Sequence, residues 1–136
     1  MIGLDTNILV RYLTQDDPKQ AALANHLIEE TLTTEQPGFV STVALVELAW
    51  VLESGYQCER SRVAEVLERL LRSKTIVVEH ADVAWQSTRI FGATKADFAD
   101  CVIARTGHAN ACDYTLTFDR AAAKGAAMQL LETRRL

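Results

Sequence analysis

Apolar residues along the chain fall into two alternating patterns: short continuous runs, and longer stretches in which they recur every three or four positions. The first pattern marks buried strands and the second amphipathic helices. Strands are predicted at residues 1–4, 39–40, 75–78, 114–118 and 128–131, the last at an edge. After the turn Asp5-Thr6-Asn7, residues Ile8, Leu9, Tyr12 and Leu13 share one helical face. A second helix over residues 19–31 carries Ala21, Ala24, Leu27 and Ile28 at helical spacing. Asp17 caps it and Pro18 takes its first position, where the missing N–H has no partner to lose. Residues 42–52, behind a cap at Ser41 or Thr42, are apolar nearly all round and are therefore expected to be buried. A loop over residues 53–60 containing Gly55 leads to the cleanest amphipathic helix, residues 62–71, with Val63, Val66, Leu67, Leu70 and Leu71 on one stripe. A helix over residues 82–91 stops at Gly92, another runs from Ala96 to about Asn110, and a short one covers residues 121–124.

Strands that alternate with helices pair most economically in parallel, through right-handed crossovers. The predicted class is α/β, a central parallel sheet of about four to five strands flanked by helices. A chain of 136 residues suits one domain, residues 1–136, without repeat or linker and with a polar tail at residues 132–136.

Three features of these elements bear on chemistry. The opening strand is apolar on both faces, as in the interior of a parallel sheet, and ends in Asp5. That is where open α/β sheets place their ligand crevice, although Asp is equally a good helix cap. The run at residues 114–118 repeats the design and ends in Asp119, which also stands where it could cap the next helix. Glu47 is the one charge in the apolar helix over residues 42–52. A buried carboxylate there needs an ion pair or a metal. Asp97 and Asp100 are spaced to face the same way, with Thr94 and Asp97 resembling a capping box. Capping accounts for Asp97 as well as function does; Asp100, past the first turn, favours function.

Charge narrows the partners. Fourteen Lys and Arg against eighteen Asp and Glu leave a net charge of −4, which excludes nucleic-acid binding through overall charge but not through a local basic patch. Cys58, Cys101 and Cys112 are odd in number and form no CxxC, and His26, His80 and His108 are equally dispersed. Reduced thiols in a cytoplasmic protein are expected, with no zinc site. No apolar run reaches the length of a membrane span, and no leader is expected ahead of the first strand.

Asp5, Glu47, Asp100 and Asp119, with Asp97 beside them, are therefore the candidate chemistry. Carboxylates brought close repel and take up protons. An oxygen-only set relieved by a cation selects Mg²⁺ or Mn²⁺ over zinc. Such an ion binds phosphate oxygens and activates water, and phosphodiester hydrolysis is the matching reaction. Neither a Ser–His–acid order nor a Gly-rich phosphate loop offers a rival mechanism.

Asp5-Thr6-Asn7 after an opening strand, Glu47 within Leu45-Val46-Glu47-Leu48, Asp97-Phe98-Ala99-Asp100-Cys101-Val102-Ile103-Ala104, and Thr117-Phe118-Asp119 together resemble a PIN domain, and more closely the VapC-like toxins of type II toxin–antitoxin pairs. The resemblance runs from Met1 to about Leu131. It implies a Rossmann-like sheet and a Mg²⁺- or Mn²⁺-dependent ribonuclease acting on RNA. It also implies a homodimer and a cognate antitoxin that blocks the site, often with a basic side chain. By match, Asp5, Glu47, Asp100 and Asp119 hold the metal, Asp97 assists, and Thr6, Asn7 and Thr117 support the ligands. The second acid at Asp97 leaves open which member of that pair binds metal. Two other classes compete: a haloacid-dehalogenase-like phosphatase, which needs a second Asp where this chain has Asn7, and a non-catalytic PIN-like RNA-binding or interaction module.

Overall fold

A computed structural model describes residues 1–132; of the predicted polar tail, residues 133–136 lie outside the described residues. The chain clusters into two compact units, one over Met1–Ala81 and one from Asp82 onward.

The first unit runs β1 (Ile2–Gly3), α1 (Thr6–Thr14), α2 (Pro18–His26), a π-helical turn (Leu27–Thr31), β2 (Gly38–Val40), α3 (Thr42–Gly55), α4 (Arg60–Arg72) and β3 (Ile76–Val78). Its strands are all parallel in the order β1-β2-β3, with Ile2 opposite Gly38 and Gly38 opposite Ile76. The opening strand is thus an edge of this sheet rather than its centre. Gly38 on β2 shows why the middle strand can be so short and still well covered. A Cβ at Gly38 would stand 2.8 Å from Leu4 Cδ1 and 3.0 Å from Leu32 Cδ1, so its hydrogen lets both leucines close over the strand. Asp17 accepts a hydrogen bond from Gln20 N at 3.0 Å and Pro18 opens α2, as the pattern predicts. On α4, Val63, Val66, Leu67 and Leu70 form the buried stripe.

Helix α3 departs from expectation in two ways. It continues through Gly55, so residues 53–55 are helical rather than loop. It is also not buried all round. Leu45, Leu48, Ala49 and Leu52 are buried, whereas Val43 is 72% exposed and Trp50 67% exposed. Helices α1 and α4 both pack on α3, and they cover one side of it. Ser41 makes the cap, accepting from Ala44 N at 3.1 Å.

The second unit is reached through α5 (Ala81–Ala93) and continues with α6 (Phe98–Ala109), β4 (Leu116–Thr117), α7 (Arg120–Gly125) and β5 (Gln129–Leu130). Phe91 at the end of α5 is fully buried and meets Phe98 at the start of α6 edge to face, with ring centroids 5.8 Å apart. Strands β4 and β5 pair in parallel around α7, Leu116 opposite Gln129. The run at residues 114–118 does not form a strand buried on both faces. Tyr114, Leu116 and Phe118 are exposed while Thr115 and Thr117 are half-buried, the alternation of a strand with one covered face. The α/β class stands: among the described residues five parallel strands, three in one sheet and two in the other, are flanked by helices. Among the described residues no helix is long and apolar enough to cross a membrane.

The one-sided burial of α3 is testable in the purified protein. Leu48→Ala, at a fully buried position, should cost about 2–5 kcal/mol in denaturant melts. Trp50→Ala should cost within about 0.5 kcal/mol despite removing the larger side chain. Equal losses would show that both faces of α3 are packed.

Candidate active site

In the first unit the candidate acids are fixed by helix starts. Asp5 is the N-cap of α1, with an extended backbone, and accepts a hydrogen bond from Thr6 N at 2.7 Å. Its capping role is therefore real, and its exposed carboxylate remains accessible. Thr6, the first residue of α1, is buried, and its Oγ1 donates to Glu47 Oε1 at 2.7 Å. That single bond ties the first turn of α1 to the middle of α3, across 41 residues of chain. Asn7 beside it is exposed.

The structure corrects the expectation that Glu47 is buried. Glu47 is exposed, on the uncovered side of α3 between Val43 and Trp50. It has no Lys or Arg ion pair among the described residues. A helix apolar on nearly every side supplies no periodicity to say which side faces water, so the sequence pattern was blind to this. Among the described residues, the carboxylate's one tether comes from Thr6, a residue the motif had already placed in a supporting role.

The second unit brings three acids into electrostatic reach. Asp97 occupies the N-cap position of α6 but makes no side-chain capping bond. The predicted capping box does not form, because the helix begins at Phe98 rather than after Thr94. Thr94 Oγ1 instead donates to Ile90 O at 2.8 Å and accepts from Ala96 N at 3.2 Å. Asp119 caps α7, its Oδ1 accepting from Ala121 N at 2.8 Å and Ala122 N at 3.1 Å. Thr117 Oγ1 accepts from Asp119 N at 3.0 Å and so steadies the turn that presents this acid.

Asp100, in the first turn of α6, is half-buried. Burial pushes its carboxyl above the usual range, and the negative charges of Asp97 and then Asp119 push it further. Among the described residues none of these three acids has a Lys or Arg ion pair. Their mutual repulsion is thus left without an internal cation among the described residues, as expected of carboxylates that serve an external one.

The donor set fits a hard cation in kind: Asp97, Asp100 and Asp119 offer oxygen alone. It is not a gathered cage. Among the described residues no group of three His, Cys, Asp or Glu side chains is close enough to hold an ion. Within each unit, then, the sequence-predicted acids fall into two sets: Asp5 and Glu47 linked through Thr6, and Asp97, Asp100 and Asp119 coupled through charge.

Parallel strands that lead to Asp5 and Asp119 at helix N-termini define an α/β protein that bears acids at its strand ends. The profile described as PIN domain matches residues 2–127, and the chain belongs to the PIN domain family. It is also similar to a VapC ribonuclease of Aquifex aeolicus (strain VF5), 27% identical over 99 residues, which are 73% of either chain.

The raised Asp100 pKa makes a stability prediction. A folded-state pKa above the unfolded value means that the folded protein binds the proton more tightly. The contribution of Asp100 is then most favourable at low pH and is lost as pH rises through the raised value. In metal-free protein at pH 7, Asp100→Asn should therefore raise the melting temperature. One relieved like-charge pair is worth roughly 0.2–0.5 kcal/mol, or about 1–3 °C in a protein of this size. The gain should close below about pH 4, where the wild-type carboxyl is protonated. A lower melting temperature for Asp100→Asn at pH 7 would show instead that the charge is structurally paired.

Proposed function

We propose that this protein is a metal-dependent ribonuclease, the toxin of a type II toxin–antitoxin pair, acting as a single PIN domain over residues 1–136. The observation that carries the reading is the uncompensated acid set around Asp100, whose proton affinity is raised by Asp97 and Asp119, in a chain of the PIN family. Similarity to a VapC ribonuclease supports RNA as the substrate.

Asp5, Glu47, Asp100 and Asp119 are proposed as the residues that hold Mg²⁺ or Mn²⁺, with Asp97 assisting. When bound, such an ion lends positive charge to phosphodiester oxygens and lowers the pKa of a water nucleophile. The chain's own residues orient the acids for that work. Thr6 directs Glu47 through the 2.7 Å hydroxyl bond. Thr117 holds the backbone of Asp119, while Asp119 spends one oxygen on the first turn of α7. Asn7, exposed in the first turn of α1, is proposed to support Asp5. Among the second-unit acids Asp100 is taken as the direct ligand, because it is half-buried while Asp97 and Asp119 are exposed, and burial with those two charges raises its proton affinity. Asp97 is assigned the outer role.

A cytoplasmic homodimer, with a cognate antitoxin that sets an Arg or Lys against these acids, completes the proposal. An external cation is attractive there because the acids have none of their own among the described residues.

Purified protein should cleave single-stranded RNA with Mg²⁺ or Mn²⁺, stop with EDTA, and be poorly restored by Ca²⁺, whose looser geometry suits catalysis less. Asp100→Asn should lose more than about a hundredfold in kcat/KM, beyond the range of outer-ligand changes, and Asp97→Asn about tenfold. Cleavage that survives complete metal removal would overturn the reading. Equal losses for the two variants would reverse the assignment within the pair.

A further inference from the structure

A hollow of about 450 Å³ opens beside the acid set of the second unit, lined by Thr94, Lys95, Ala121, Lys124 and Gly125. Two of these belong to the segment leading to Asp97, and three to α7, the helix that Asp119 caps. The two stretches meet at Gly125. A Cβ there would stand 2.8 Å from Ala96 Cβ and 3.2 Å from its backbone, so only glycine permits this approach. The close approach sets Lys95 and Lys124 on the rim of one hollow.

Its chemistry is mixed in a particular way. The walls are small and mostly carbon: Ala121, Gly125 and the lysine stems. The Thr94 hydroxyl is already committed to Ile90 O and Ala96 N. Both lysines are exposed, and neither ammonium has an ion-pair partner among the described residues. A small, mostly apolar hollow bordered by two exposed lysines suits a planar aromatic group that carries an anion. In a protein of net charge −4, a polyanion needs such a local patch to approach acids at all.

We propose that this hollow is a nucleotide subsite for single-stranded RNA. A base lies over Ala121 and Gly125, while Lys95 and Lys124 hold the adjoining backbone phosphate. The inference rests on the ribonuclease reading and deepens it. An unpaired strand is required because a base must leave its partner to enter, and stacking on side chains is how proteins commonly read such strands. The small floor excludes no base by hydrogen bonding, so the subsite confers strand selectivity rather than base identity.

The test measures binding, without cleavage, in EDTA. Fluorescence anisotropy is recorded with a labelled 12-nucleotide single strand, its duplex, and a series in which one abasic ribose is moved through the strand. For wild type, one internal abasic position should weaken binding by about fivefold or more, and the duplex should bind less tightly than the single strand. Ala121→Leu, which fills the hollow from an exposed position, should abolish that positional effect. The Lys95→Ala/Lys124→Ala double variant should flatten the plot of log affinity against log salt by about 1.4, since each lysine that neutralises a phosphate on a single strand adds roughly 0.7 to the slope. Lys74→Ala, an exposed lysine in the first unit, should leave the slope unchanged. Melting temperatures within a degree or two of wild type are required of every variant, and Lys124→Gln replaces any variant that fails. An abasic profile without position dependence, equal affinity for duplex, or an unchanged salt slope would overturn the subsite. Any of these alongside normal metal-dependent cleavage by wild type would leave the ribonuclease reading standing. Absent cleavage by wild type would strike that reading itself.

Discussion

Asp5, Asp97 and Asp119 all stand at helix N-termini, before α1, α6 and α7, each with an extended backbone at the cap. A helix N-terminus presents unpaired N–H groups and a partial positive charge, which stabilise a nearby carboxylate. Much else in the candidate site follows from this placement. It gives Asp5 and Asp119 backbone N–H partners, with no Lys or Arg ion pair among the described residues, and leaves their remaining lone pairs for something outside the fold. Asp119 shows the division of labour most clearly, with Oδ1 shared by two backbone donors of α7.

The same device explains why Asp100 differs from its neighbours. It lies inside the first turn of α6 rather than at its cap, and it is half-buried. Burial and two nearby carboxylates outweigh what the helix end supplies, so its proton is held more tightly than usual. A residue whose charge is resisted by its surroundings gains most when a cation arrives.

Function and stability make different demands on the two units. In the first, Thr6 uses a buried hydroxyl to restrain Glu47 on an exposed helix face. In the second, Gly125 gives up a side chain so that α7 can approach Ala96, and the hollow rimmed by Lys95 and Lys124 results. Neither choice adds much apolar burial. Both position charge, and the core is supplied elsewhere, by residues such as Leu45, Leu48, Val63 and Phe91.

How much of this was legible in the chain depends on the range of the interaction. Local patterns determined the α/β alternation, the Asp17-Pro18 start of α2, the stripe of α4 and the Asp119 cap, because each is decided within one or two turns of backbone. The acid inventory was legible too, since Asp5, Glu47, Asp97, Asp100 and Asp119 recur at the ends of apolar segments or within them. The exposure of Glu47 was not, because a helix apolar on nearly every side does not reveal which side α1 and α4 will cover. Nor was the start of α6 at Phe98, where Thr94 bonds back to α5 instead of capping forward. The raised pKa of Asp100 depends partly on Asp119, nineteen positions further along the chain by the numbering. Sequence alone determined which residues carry charge and which segments are helix or strand. Tertiary structure decided which faces meet water and which charges feel one another, because burial and Coulomb energy depend on distances that no local pattern encodes.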